Sequence, residues 1–310
     1  MPADAHCHLL DLAKRFPEAE ARRWKLGIVC GASAWNAEDF SYQADLKRTA
    51  GLNGGPRIFC CFGVHPQLPA CAEPAQVSAG LALLETLAGQ GQLDGIGETG
   101  FDLFDQSFRD TEAVQDRLFS AHLDAALRLG LPLILHVRKA LHKVFAHAKT
   151  LKKLRSVIFH SYPGTLAEGE AFLRRGINAY FSFGNPLIRG RKASVSACAG
   201  LPADRILAET DAPYQPLPGA AFSQWDDLLA VSRTIAHIRT APEFAHSARN
   251  FLSRNPENSF FQKNDQEETL LEKKREKLEK KREKEEKQEE ELAKEEEKLA
   301  EENFYRAYLC

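Results

Sequence analysis

Eight short apolar runs, each followed by a longer amphipathic or polar stretch, succeed one another between residue 3 and about residue 212. They are ADAHCH (3–8), KLGIVCGAS (25–33), RIFCCFGV (57–64), LDGIGE (93–98), LPLILHV (131–137), SVIFHS (156–161), NAYFSFG (178–184) and RILAET (205–210). Rich in Val, Ile, Leu and Phe and without clean polar alternation, they read as strands covered on both faces. Helical segments lie between them, among them Ala75–Ala88, Ser107–Leu129, Leu141–Leu151, Leu166–Arg174 and Arg191–Ala199. Gly130 and Gly176 stand where a helix should stop. Strict β-then-α order argues for a parallel sheet, and eight units are what closes a barrel. An open doubly wound sheet is the alternative. The (β/α)8 TIM barrel is preferred because it brings strand ends from all parts of the chain to one mouth. Helices over Phe222–His237 and Ala241–Leu252 would complete the outer ring.

The composition changes abruptly near Asn264, which divides the chain into a barrel over residues 1–262 and a charged C-terminal extension, helical or disordered, over residues 263–310. From Asp265 onward there are 12 Lys and Arg against 17 Asp and Glu, which leaves 29 against 26, or about +3, in residues 1–264. So mild a positive charge excludes a dedicated DNA-coating protein. Glu267–Glu302 has no Pro or Gly and is helix wherever it is ordered. Leu271, Leu278, Leu292 and Leu299 keep a seven-residue grid, but Glu285 interrupts it and the second apolar heptad position is missing. Net basic Glu272–Lys284 followed by acidic Glu285–Glu302 is also the unfavourable polarity for a helix dipole. A solvated, fraying extension is the plain reading. The aromatic end FYRAYLC favours the other one, a helix that docks, self-associates or meets a protein partner.

The cysteines (Cys7, Cys30, Cys60, Cys61, Cys71, Cys198 and Cys310) are odd in number, form no C-x-x-C pair and lie mostly in apolar runs. Structural thiols in a reducing compartment are the better reading than a disulfide framework or a zinc ribbon. DAHCH begins at Asp4, which leaves no room ahead of it for a signal peptide, and no apolar stretch reaches the roughly 20 residues of a membrane span. A cytoplasmic protein without a membrane partner is therefore expected.

The chemistry lies at the strand ends. In Asp4-Ala5-His6-Cys7-His8 two imidazoles stand two apart on an extended segment, so both point to one side and can meet one metal ion. A lone His on a strand is ordinarily core packing. This pair is different because ligand-type residues recur: Glu98 ends LDGIGE, His136 ends LPLILH, His160 ends VIFH and Asp211 follows RILAET. Ionisable groups at the ends of buried strands are costly unless paired or bound to metal, and that end of a barrel is where active sites sit. His122, His142, His147, His237 and His246 fall in helical segments and read as surface or packing residues.

The motifs DAHCH (4–8), GVHP (63–66), GETGFD (97–102), HVRKA (136–140), HSYPGT (160–165) and ETDAPY (209–214), taken in order, resemble the TatD-type metal-dependent deoxyribonucleases. The resemblance implies that His6, His8, Glu98 and Asp211 hold one metal and that Glu98, His136 and His160 hold the other, with Glu98 as the bridge. Related amidohydrolase barrels often bridge with a carboxylated Lys; LDGIGETG contains none. The resemblance also places His65 by the substrate. Glu209 reads either as a partner for a ligating His or as a cap on its strand end. Two departures, Lys139 in place of an acidic residue and Tyr162-Pro163-Gly164 in place of an aromatic-Ser-Gly run, touch no expected ligand but reshape substrate contacts.

The expected cofactors are two divalent ions, with zinc, manganese and magnesium all open, since His and carboxylate ligands without thiolate suit several. Two such ions activate water and steady attacking and leaving oxygens. Asp211 is the expected general base, with one oxygen on metal and the other free for the water. Arg138, and also Lys139, Arg189, Arg191 and Lys192, read either as holders of flanking phosphates or as solvated helix starts. The expected function is a metal-dependent hydrolase of phosphodiesters, with single-stranded DNA ends as substrate. A barrel hydrolase of a small ester, lactone or amide is the first alternative, and a scaffold acting through the charged tail is the second.

Overall fold

The computed structural model describes residues 1–240, 291 and 294–309. Eight strands are present: β1 (Ala3–Cys7), β2 (Val29–Ala34), β3 (Ile58–Phe62), β4 (Gly95–Asp102), β5 (Leu133–Arg138), β6 (Val157–Phe159), β7 (Ala179–Phe183) and β8 (Ile206–Ala208). They form one sheet in sequence order, and each neighbouring pair is parallel. At the remaining seam the Asp211 N–H donates to the His6 carbonyl (2.9 Å) and the His8 N–H to the Ala212 carbonyl (2.8 Å). The buried Asp4 carboxylate reinforces the seam by accepting from the Thr210 N–H (3.0 Å) and hydroxyl (2.6 Å). The sheet closes on itself, so the fold is the (β/α)8 barrel and not the open sheet.

Each predicted strand is found, with shifted ends that have local causes. Lys25 and Leu26 belong to the helix Ala19–Leu26, which Gly27 terminates in the left-handed region (φ 67°), so β2 starts only at Val29. β4 runs past Glu98 to Asp102, with an irregularity in its pairing to β5 between Ile96 and Thr99. The helix expected over Ser107–Leu129 is broken into Gln106–Arg109 and Glu112–Leu129. At the break the Gln115 side chain donates to the Phe108 carbonyl (2.8 Å) and the Thr111 hydroxyl (3.2 Å). Leu141–Leu151 likewise divides at His147. Leu166–Arg174 is helical as predicted, started by a capping box of Thr165 and Glu168. The ring helix expected over Phe222–His237 occupies Trp225–Thr240, and the one over Ala241–Leu252 lies outside the described residues.

Side chains alternate along each strand, as the pleat requires. Leu133, Leu135 and Val137 join the large core beneath the helices, while Ile134 belongs to a second cluster with Val29, Phe59, Ile158, Tyr180 and Leu207. That second cluster fills the inside of the barrel. Two residues beyond Ile134 and Ile158, on the same inward face, stand His136 and His160. The interior is thus apolar toward the strand starts and ligand-bearing toward the strand ends. Gly97 (φ 141°) permits the tight wall between them, since a Cβ there would lie 2.5 Å from the Ile134 carbonyl oxygen.

The apolar end is completed by residues far along the chain. Residues 294–309 are helical, and Phe304, Ala307 and Tyr308 are buried within the interior cluster. The Tyr308 hydroxyl donates to the Ala5 carbonyl (2.9 Å) and fills the space that any side chain at Gly31 would need. Asn303 donates to the Ala203 (2.8 Å) and Ile206 (3.0 Å) carbonyls, and the Ser156 hydroxyl donates to the Ala307 carbonyl. These partners lie at strand starts, so the helix closes the mouth opposite the ligand-bearing end. For residues 303–308, therefore, a solvated extension is not what is found; of the readings that the aromatic end favoured, docking is the one seen, and it is against this chain's own barrel. Among the described residues, Cys7, Cys30, Cys60, Cys61 and Cys198 are buried free thiols, and no helix is long and apolar enough to cross a membrane.

Phe304→Ala should lower stability by about 3–5 kcal/mol, the usual cost of emptying a buried aromatic site. Tyr308→Phe, which removes only the hydrogen bond, should cost about 1 kcal/mol. Urea unfolding followed by circular dichroism measures both, and unchanged midpoints would show that the plug does not contribute.

Candidate metal centre

At the ligand-bearing mouth a cleft of about 1050 Å³ is lined by residues that include His8, His65, Glu98, His136, His160 and Asp211. His6 lies just beneath, fully buried. The six residues predicted as ligands therefore converge, and Glu98 stands between two groups of nitrogen atoms. Its Oε2 lies 3.3 Å from His6 Nε2 and 3.7 Å from His8 Nε2. Asp211 Oδ1 lies 3.6 and 3.5 Å from the same two nitrogens, which are 3.2 Å from each other. On the other side, Glu98 Oε1 lies 2.7 Å from His160 Nε2 and 2.8 Å from His136 Nδ1. Those two nitrogens are 3.2 Å apart.

The spacing is that of donors around a cation. Four ligands about 2.1 Å from a tetrahedral ion are about 3.4 Å from one another. Imidazole nitrogens facing each other at 3.2 Å are favourable only when a proton or a cation lies between them. Three sets among the described residues have the compactness to hold an ion: His6, Glu98 and His160; His6, His8 and Asp211; and His65, Glu98 and His136. The chain's donors fit divalent metal.

His65 is a difference from expectation. It had no expected place among the ligands, yet its Nε2 lies 3.3 Å from both Glu98 Oε1 and His136 Nδ1. Its position is fixed from below, where the buried His122 accepts the Val64 N–H (2.8 Å) and donates to the Leu118 carbonyl (2.6 Å). Burial pushes the His122 imidazolium down to about 4, in keeping with the packing role expected of it. A second difference concerns Asp211. Its Oδ2, expected to be free for water, accepts from Gln215 Nε2 at 2.6 Å.

Electrostatics decide which groups are charged. Burial alone would raise the Glu98 carboxyl, but His160, His65, His6 and His136 outweigh it and hold it well below the usual range. Burial likewise opposes ionisation of Asp211, and the hydrogen bond with His8 and the charges of His160 and His6 overcome it. His160 shows the reverse balance, since burial lowers its pKa and the Glu98 and Glu209 carboxylates raise it well above the ordinary value. His8 and His136 are raised too, against burial, by Asp211 with Glu98 and by Asp102 with Glu98 respectively.

Several supporting residues carried no role in the sequence reading. Asp102 Oδ2 accepts from His136 Nε2 (3.1 Å) and from Gln67 Nε2 (2.7 Å), which turns the Nδ1 lone pair of His136 toward the site. Burial would raise the Asp102 carboxyl, but the hydrogen bonds from His136, Gln67 and the Phe104 N–H hold it down at about 2. GETGFD contained Asp102, and the signal was its place on the inward face four residues after Glu98. Glu209, the suspected partner of a ligating His, lies 3.8 Å from His160 Nδ1 and accepts the Ser161 N–H (2.7 Å). Arg138, Lys139, Arg189 and Arg191 line the cleft, whereas Lys192 does not.

The model of the family described as TatD related DNase matches residues 3–260. The chain belongs to this family. A TatD relative from Enterobacter lignolyticus, named as a 3'-5' ssDNA/RNA exonuclease, is 34% identical over 166 residues, covering 50% of this chain and 62% of that protein. The match thus spans less than two thirds of that relative's length. A metal-dependent hydrolase of Mycoplasma pneumoniae is 26% identical over 251 residues, covering 77% of this chain and 92% of the relative. The crystal structure of YjjV, a TatD homologue from Escherichia coli K12, superposes with a TM-score of 0.66 at 24% identity, covering 79% of this chain and 94% of that one. That structural likeness supports the TatD fold.

Because a ligating imidazole must be neutral, metal has to displace the protons that the carboxylates favour on His8, His136 and His160. Affinity for a divalent ion should therefore fall as the pH is lowered through and below neutrality, with protons released on binding. Calorimetric titrations in buffers of different ionisation enthalpy measure that release, and no buffer dependence would contradict it. Asp102→Ala should weaken metal binding by about 10–100-fold while the barrel stays folded.

Proposed function

We propose that this TatD-family chain is a hydrolase of phosphodiester bonds in single-stranded nucleic acid, DNA in the first place, working with two divalent ions. The observation that supports it most is the division of Glu98, one oxygen toward each nitrogen group. Zinc, manganese and magnesium all remain compatible with the donor types. His6, His8, Glu98 and Asp211 would hold one ion, and Glu98, His136 and His160 the other. Ions bound there would supply Lewis acidity and lower the pKa of attacking water.

The chain's own residues supply the rest. Asp211 is ionised in its setting and would take the water's proton on the lone pair of Oδ2 that the Gln215 hydrogen bond leaves open. His65 has the most exposed side chain of the imidazoles at the centre, 22% accessible against 12% or less for the others, so we place it against the substrate. Arg138 is half-exposed at the rim, 3.5 Å from Asp102, and with Lys139, Arg189 and Arg191 it would neutralise flanking phosphates. The name of the Enterobacter relative, a 3'-5' ssDNA/RNA exonuclease, agrees with this reading. We take residues 1–262 as the catalytic unit and 263–310 as an extension, and a cytoplasmic location as the setting for its free thiols.

The test is a panel of single-stranded DNA, RNA and small esters, lactones and amides, incubated with each metal in turn. Oligonucleotides should be shortened only when metal is supplied. Failure of every metal to shorten any of them would overturn the proposal, and turnover of a small ester alone would favour the other hydrolase. Glu98→Ala should lose metal-dependent activity and keep its circular dichroism spectrum; full activity in that variant would rule out the bridge.

A further inference from the structure

Six large hydrophobic side chains are exposed among the described residues, and the three aromatic ones, Trp35 (41%), Phe104 (47%) and Tyr214 (41%), all line the cleft. Metal chemistry has no use for exposed rings. Trp35 directly follows β2, Phe104 stands two residues after β4, and Tyr214 lies in the turn after β8. In the closed order of the strands these positions are spread around the mouth, with β4 and β8 across the barrel from each other. Arg138 and Lys139, at the end of β5, lie beside the end of β4, and Arg189, after β7, donates to the Pro216 carbonyl in the turn that carries Tyr214 (3.3 Å), with Arg191 close along the chain.

The three rings are held in different ways. Trp35 precedes Asn36, whose side chain caps the helix Ala37–Asn53, so its backbone is anchored. Its indole makes no ring contact or hydrogen bond with the described residues. Tyr214 stands edge-on to His8, with ring centroids 5.1 Å apart, and its hydroxyl donates to Asp11 Oδ2 (2.7 Å). Phe104 carries the Arg138 guanidinium over its face at 4.2 Å. Exposed rings interleaved with cations in one cleft match one kind of chain, a single-stranded nucleic acid, whose flat bases meet rings and whose phosphates meet cations. A duplex keeps its bases stacked inside and cannot offer them.

Resting on the nuclease reading above, we propose that Trp35, Tyr214 and the Phe104–Arg138 pair form a base-stacking rim, with Trp35 as its principal ring. The rim grips bases without reading their sequence, because every base has a π-face. It draws the strand across the mouth so that a phosphate lies at Glu98.

The test compares two strands of about eight nucleotides, a length within one single-strand site. One is oligothymidylate and the other an abasic strand with the same number of phosphates, both with phosphorothioate linkages against cleavage. Binding to the metal-supplied protein is read by fluorescence anisotropy. The base-bearing strand should bind about tenfold more tightly than the abasic one. Trp35→Ala should remove most of that difference and Trp35→Phe should restore part of it. Equal binding of both strands by the wild type, with ordinary oligonucleotides still cleaved, would overturn the rim and leave the nuclease reading standing. An undiminished difference in Trp35→Ala would overturn the part given to Trp35. Neither strand bound and no oligonucleotide cleaved would overturn both readings.

Discussion

Glu98 is a buried carboxylate with five imidazoles within 3.7 Å, and the whole mouth of the barrel is arranged around keeping it ionised. A lone carboxylate at that depth would take up a proton, because burial penalises charge. Five ring nitrogens from four other strand ends prevent it. That arrangement needs closure, since β1 and β4 sit far apart in an open sheet and face one another across a barrel. The seam made by Asp4, Thr210, His6 and Asp211 is therefore as much a part of the site as the ligands.

Much of this was legible in the residues. The eight apolar runs revealed the strands because buried parallel strands must be apolar on both faces. His136 and His160 revealed themselves by ending such runs, where an imidazole has no packing reason to be. Strand limits were harder. Lys25 and Leu26 look like strand residues until the left-handed Gly27 separates them from Val29. Asp102 went without a role because its significance lies in a neighbour 34 positions away, and spacing along one strand cannot show which nitrogen it meets. Gln215 and His65 were obscured for the same reason: their meaning is a distance across the mouth.

The two ends of the barrel divide the labour that one interior usually performs. Toward the strand starts the interior is filled with Ile134, Ile158, Leu207 and the rings of Phe304 and Tyr308. Toward the strand ends, the same inward face carries the carboxylates and imidazoles of the site. Close packing below gives the strands that bear them a rigid base. Rigidity at one end thus holds the ligand groups in place at the other, as functional sites require.

The contact between Tyr308 and Ala5 spans 303 positions of sequence. Residues of the first strand leave the ribosome long before the helix that covers them exists. The interior cluster beside Gly31 and Ala5 is complete only once residues 304–308 are in place. Folding of the barrel core thus depends on a contact of very long sequence separation, the kind whose loop entropy is spent before the contact repays it.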